Sequence, residues 1–182
     1  MNKSFIVTGA SASGKTTLID YAKEIGYKYL PTHTSRKIRD NEINGIDVVC
    51  ISNEEFVNNF NKSLYFEPTL ESAMHKGLSI YYGTPKEWKN ELEYGNSCAI
   101  ASSPITARYI KKEIQVIWVH LYCSDDERYK RLKARGIEES EINSRMYSGD
   151  SIKIPEDADL LIDTEKYRPN EIIDIINKFS LI

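Results

Sequence analysis

Apolar and polar positions follow two rhythms in this chain. Short apolar runs recur at Phe5-Ile6-Val7, Val48-Val49-Cys50-Ile51, Ser97 to Ser102, Val116 to Leu121 and Leu160-Leu161-Ile162. Longer segments between them carry apolar residues three and four positions apart. The first rhythm predicts buried strands, the second amphipathic helices. A helix is expected from about Thr16 to Ile25, with Leu18, Ile19, Tyr21, Ala22 and Ile25 toward the core and Gly26 as its stop. Tyr27 to Leu30 reads as a short second strand that Pro31 breaks. Ser52-Asn53-Glu54-Glu55 and Thr84-Pro85-Lys86-Glu87 read as capping boxes that open helices. Ser103-Pro104 and Ser124-Asp125-Asp126-Glu127 open two more, and Asn170 to Phe179 is an amphipathic terminal helix. Residues 62–83 read as irregular with a few short strands, and 137–153 as a charged, mobile segment. Alternating strands and helices make this an α/β chain with a mostly parallel sheet flanked by helices. Sites are then expected at the carboxyl ends of the strands.

The totals narrow this picture. The chain has 182 residues, enough for one domain with small inserts. Net charge is −3, so no generally basic surface invites nucleic acid or anionic lipid. No apolar run approaches a membrane span, and the N-terminus passes directly into a strand, so neither a membrane partner nor a secretory signal is expected. The three cysteines, Cys50, Cys98 and Cys123, form no C-x-x-C pair, which argues against a zinc site or a disulfide framework. A cytoplasmic protein is the expectation.

One stretch carries chemistry. Gly9-Ala10-Ser11-Ala12-Ser13-Gly14-Lys15-Thr16 is a complete G-x-x-x-x-G-K-[ST] loop, followed by Thr17. It sits where the motif requires, after a strand and at the start of a helix. Its glycines let backbone N–H groups curl around phosphate, and the helix start adds donors and a positive dipole end. Lys15 can reach the β- and γ-phosphates, and the Thr16 hydroxyl can meet Mg²⁺. A nucleoside triphosphate with Mg²⁺ is therefore the expected ligand. Residues 32–47 are polar, with Arg36 and Arg39 three apart behind the hydroxyls of Thr32, Thr34 and Ser35. Those arginines could clamp a second phosphate, or the stretch could be a solvated loop.

Together these segments resemble the guanylate kinase family over nearly the whole chain. The resemblance rests on the P-loop, on Thr34-Ser35-Arg36 with Arg39, and on Glu42-Ile43-Asn44-Gly45-Ile46-Asp47. It rests further on Ser52 to Phe56, on Tyr81-Tyr82-Gly83-Thr84, and on Arg131 to Gly136 with Arg145. The resemblance implies a P-loop nucleoside monophosphate kinase: core 1–31, 84–134 and 154–182, acceptor-binding insert 32–83, and lid 135–153. It implies Arg36, Arg39 and Tyr82 at the acceptor phosphate, and Thr32 and Thr84 at the base. It implies Glu67 or Glu71 as the base-reading carboxylate, and Arg135 and Arg145 as lid arginines at the transferring group.

Departures from the family pattern bear on specificity. Val48 stands where relatives have a phosphate-binding tyrosine, and Ala101 and Ser103 stand where relatives have two aspartates, Ser103 being expected at the acceptor. The expectation is thus transfer from ATP to a monophosphate, GMP or dGMP first, with base preference open. The substrates are small molecules, and the chain is expected to be a monomer or homodimer. An alternative is a sugar-phosphate kinase of the ribose 1,5-bisphosphate phosphokinase kind, with which His75-Lys76-Gly77 is compatible. A non-catalytic binding module is less expected, because the loop lysine and lid arginines are present.

Overall fold

The computed structural model describes residues 3–39, 42–70, 72–75, 78–147 and 153–179. Its centre is a five-stranded parallel sheet in the order β2-β7-β1-β8-β9. The strands are β1 (Phe5–Thr8), β2 (Lys28–Leu30), β7 (Ser97–Ile100), β8 (Ile117–Tyr122) and β9 (Leu160–Asp163). Near-continuous apolar runs fit this role, because helices cover both faces of such a sheet. Helices α1 (Lys15–Glu24) and α7 (Pro169–Lys178) close one face over Phe5, Val7, Val119, Leu121 and Ile162. Helices α3 (Lys89–Tyr94) and α4 (Pro104–Glu113) close the other over Ile6, Ala99, Ala101 and Trp118.

A second, four-stranded sheet lies within residues 33–83, in the order β4-β3-β6-β5. It comprises β3 (His33–Thr34), β4 (Val49–Cys50), β5 (Ser72–His75) and β6 (Leu78–Gly83), with α2 (Asn53–Asn61) packed beside it. Thus the stretch read as irregular holds a β5–β6 hairpin. Phe56 of α2 is sandwiched between Tyr65 and Tyr81, ring centroids 4.7 and 5.3 Å away, nearly parallel. Gly83 permits this stack: a Cβ there would lie 2.8 Å from both Phe56 and Tyr65. Asp47 fastens this unit to the core, taking Lys23 of α1 at 3.0 Å.

Two expected elements are corrected. The Ser52 box forms a cap, its hydroxyl accepting from Glu55 N, but the Thr84 box does not. Thr84 spends its hydroxyl on Glu67, Pro85 becomes the cap, and a 3₁₀ turn at Lys86–Trp88 precedes α3. The charged stretch expected to be mobile contains a helix, α6 (Glu139–Tyr147), docked on α5 (Asp125–Ala134). Ile142 and Met146 supply its apolar side, packing on Leu132 and on Ala12 of the P-loop. Among the described residues, no helix is long and apolar enough to cross a membrane.

Candidate functional site

The loop after β1 is shaped by contacts that only a missing side chain allows. Gly9 has φ +147°, and a Cβ on it would meet the Leu121 carbonyl oxygen at 2.3 Å. Gly14, at φ +100°, caps α1 and would bring a Cβ against Thr164 at 3.3 Å. The loop carbonyls are then tied down one after another. Lys15 Nζ donates to the carbonyls of Gly9 and Ala10, at 2.6 and 2.7 Å. Arg128 Nε donates to Ser11 O at 3.1 Å, Arg131 to Ala12 O at 3.2 Å, and Thr164 Oγ1 to Ser13 O at 3.1 Å. Held this way, the oxygens have partners of their own and do not confront an anion in the loop. Burial, then the nearby Arg128 and Arg135 cations, push the Lys15 pKa down to about 8. The Ser13 hydroxyl is buried with no hydrogen-bond partner. A buried donor without a partner is a cost that a bound phosphate oxygen would remove.

Beneath the loop, Trp118 Nε1 donates to Thr8 Oγ1 at 2.7 Å, and the same hydroxyl is hydrogen-bonded to His120 Nδ1 at 2.9 Å. Burial and the Lys15 charge hold this histidine neutral, with its pKa lowered to about 4. Beside the loop opens a cavity of about 450 Å³, lined among others by Gly14, Thr17, Arg131, Arg135, Thr164 and Tyr167. Arg135 ends α5 at its rim. Thr16 lies exposed in the first turn of α1. Among the described residues, no group of three or more His, Cys, Asp or Glu is placed to hold a metal ion.

The arginine pair behind β3 is organised around a carboxylate. Glu42 takes Arg36 through both terminal nitrogens, at 2.7 and 2.6 Å. It also accepts from the Arg39 backbone N–H at 3.1 Å and from its guanidinium at 3.4 Å. Burial opposes ionisation of Glu42, but those bonds and charges outweigh it and keep its pKa below the ordinary value. Arg36 Nε is buried and unpartnered. Arg39 is within electrostatic reach of both Arg36 and Arg145, and Tyr82 is within electrostatic reach of the two insert arginines. Arg145 of α6 is held by Glu141 at 2.5 Å, one turn back.

Deeper in, Glu67 forms a small network. Its Oε2 accepts from Thr84 N at 2.8 Å, and its Oε1 from Thr84 Oγ1 at 2.9 Å and Ser102 Oγ at 2.8 Å. Burial raises its pKa despite these donors. Thr84 is fully buried, so its hydroxyl positions Glu67 and does not face the cleft. Ser103, expected at the acceptor, caps α4 instead: its hydroxyl accepts from Thr106 N at 3.1 Å. Its neighbour Ser102 takes the contact with Glu67. Ala101 is buried on the α4 face of the sheet, and Val48 is buried and offers no polar atom. Thr32 is half-buried at the edge of the insert, its carbonyl taking Val49 N at 2.9 Å. Glu71 lies outside the described residues, as do Lys76 and Gly77.

Sequence reasoning missed the contact of Ser102 with Glu67, Arg128, Arg131 as a loop clamp, and Thr164. Arg128 and Arg131 lie three apart on a helix that follows a strand beside β1, and that spacing was the available signal.

The guanylate kinase family model matches residues 1–166. A guanylate kinase from Neisseria gonorrhoeae is 33% identical over 150 residues, covering 79% of this chain and 70% of that protein. The chain belongs to the guanylate kinase family. The guanylate kinase of Chlamydia muridarum is 28% identical over 141 residues, 75% of this chain and 66% of its own length. That of Mycoplasma capricolum is 30% identical over 145 residues, 76% of this chain and 47% of its own. The match thus spans less than two thirds of these two guanylate kinases. Among solved structures, the guanylate kinase from Anaplasma phagocytophilum has the same fold, with a TM-score of 0.63 at 19% identity over 98% of this chain and 88% of that one.

Proposed function

We propose that this chain transfers the γ-phosphoryl group of ATP to a nucleoside monophosphate, with GMP or dGMP as the first acceptors. The observation that carries this reading is the path of cations across the cleft. Lys15 has Arg135 within electrostatic reach at the donor loop, and Arg39 has Arg36 and Arg145 within reach at the insert. Phosphoryl transfer needs positioning and charge neutralisation more than it needs a protein nucleophile. Such a path is what two facing phosphates require.

In this reading, Gly9 to Thr17 cradle the donor phosphates, and the cavity beside Gly14 takes the donor nucleoside. Lys15 moves from the loop carbonyls to the β- and γ-phosphates. Arg36, Arg39 and Tyr82 hold the acceptor phosphate, with nothing added by Val48. Arg135 and Arg145 approach the transferring group from α5 and α6. The Thr16 hydroxyl would hold Mg²⁺ that arrives with the nucleotide, phosphate and water supplying its other oxygens. That ion neutralises charge on the donor phosphates. Glu67 is the carboxylate assigned to the base edge, and it already accepts from Thr84, Ser102 and its own backbone N–H. Thr84 and Ser102 keep it aligned. The sugar-bisphosphate alternative is not favoured, since the relatives described above are all named guanylate kinases.

A coupled assay with ATP and Mg²⁺ across GMP, dGMP, AMP, CMP, UMP, dTMP and ribose 1,5-bisphosphate tests this. Preference for the two guanine nucleotides is expected. Turnover of the sugar bisphosphate alone would remove the base-reading role of Glu67, and turnover of none would remove the kinase.

A further inference from the structure

A buried arginine needs partners, and those of Arg128 lie on three different segments. Arg128 is 3% exposed, in the first turns of α5. Its Nε donates to Ser11 O in the donor loop at 3.1 Å. Its Nη2 donates to the carbonyls of Arg145 and Met146, at 3.1 and 3.4 Å, and its Nη1 to Asp125 at 2.9 Å. Arg145 and Met146 sit in the last turn of α6, where carbonyls have no partner within the helix. A cation there also meets the negative end of the helix dipole. Next to it, Ala12 of the same loop packs with Leu132, Ile142 and Met146. One end of α6 is therefore fastened to the donor loop twice, by the guanidinium and by apolar contact.

We infer that Arg128 is a positioning residue that sets the height of α6 above the donor loop, and through it the reach of Arg145 toward the acceptor cradle. The inference rests on the phosphoryl-transfer reading for its purpose, but its geometry stands without substrate. Arg145 travels with the helix because Glu141, on the same helix, holds its guanidinium. The planar fork of Arg128 spans loop and helix at once; a lysine ammonium in its place would reach one side or the other.

Hydrogen exchange of the chain without nucleotide, paired with steady-state kinetics, tests this. In Arg128→Met, amides of α6 should exchange at least about tenfold faster while those of β1 and β8 keep their protection. Its kcat should fall by about 10- to 100-fold, the scale of a small misplacement at the reacting centre. Both KM values should stay within about threefold. Arg128→Lys should fall between this variant and the parent in both measurements. Unchanged α6 exchange in a folded Arg128→Met protein would overturn the inference, whatever its turnover. Should Arg128→Met lose protection everywhere, Arg128→Lys decides. Faster exchange confined to α6 supports the strut; uniform loss, or exchange equal to the parent, overturns it. Absence of turnover in the parent protein would count against the kinase reading alone, since the exchange result needs no substrate.

Discussion

The two halves of the proposed cleft, donor and acceptor, are built from different material. The donor half is mostly backbone: a loop whose consecutive carbonyls, Gly9 to Ser13, are held by Lys15, Arg128, Arg131 and Thr164. Its shape depends on the absence of Cβ atoms at Gly9 and Gly14. The acceptor half is mostly side chain: two guanidiniums around the Glu42 carboxylate, and the Glu67 carboxylate between Thr84 and Ser102. A backbone site recognises phosphate, which is common to every nucleotide, and says nothing of the base. A side-chain site can be respecified one residue at a time on an unchanged fold. In the proposed reading, that contrast explains how the loop can match its motif fully while the end assigned to the base departs from the family pattern at Ala101 and Ser103.

The contrast can be broken at the donor end first. Lys15→Ala should lower kcat by about 10²- to 10³-fold or more, the cost of removing a preorganised charge partner. Turnover close to that of the parent would take Lys15 out of the donor site. At the acceptor end, Arg39→Ala should raise the acceptor KM by about 10- to 100-fold, the worth of a charge-assisted hydrogen bond, with little change in the ATP KM. Equal rises in both constants would move Arg39 off the acceptor. Glu67→Gln keeps the shape and removes the acceptor charge, so kcat/KM for GMP should fall about tenfold while AMP barely changes. A GMP-to-AMP ratio that does not move would reduce Glu67 to a purely structural part.

The smallest effect concerns protons. With its pKa lowered to about 8, Lys15 is partly neutral just above that pH in the free protein. Phosphate favours its cation, so ATP binding near pH 8 and slightly above should take up a fraction of a proton. ATP affinity should accordingly decline as pH rises through this range and level off below it. Calorimetry in buffers of different ionisation heat measures the uptake, and the same uptake in Lys15→Ala would assign it elsewhere.

Legibility followed the same division. The parallel core could be read because its runs of Val, Ile and Leu are buried on both faces, and the P-loop because its geometry admits few residues. The hairpin at β5–β6 was legible only as a few short strands, because that stretch is mixed in polarity and its pairing partner is not marked by pattern. The Thr84 box misled because tertiary structure offered its hydroxyl a buried carboxylate in place of a helix end. Ser102 and Ser103 could not be told apart by spacing, since a cap and a ligand use the same hydroxyl chemistry. Helix α6 escaped because most of its residues are polar or charged, with Ile142 and Met146 as its buried apolar contacts.

The unpartnered hydroxyl of Ser13 has an evolutionary consequence. A buried polar atom left without a partner costs about 1–3 kcal/mol, against a total of roughly 5–15 kcal/mol for an ordinary domain. The loop therefore draws on the same narrow margin that every other substitution must draw on. Stabilising changes far from the cleft, on α7 or along the outer sheet, widen that margin without touching a substrate. They are the background on which the side-chain half of the cleft can be tried with new residues while the loop stays as it is.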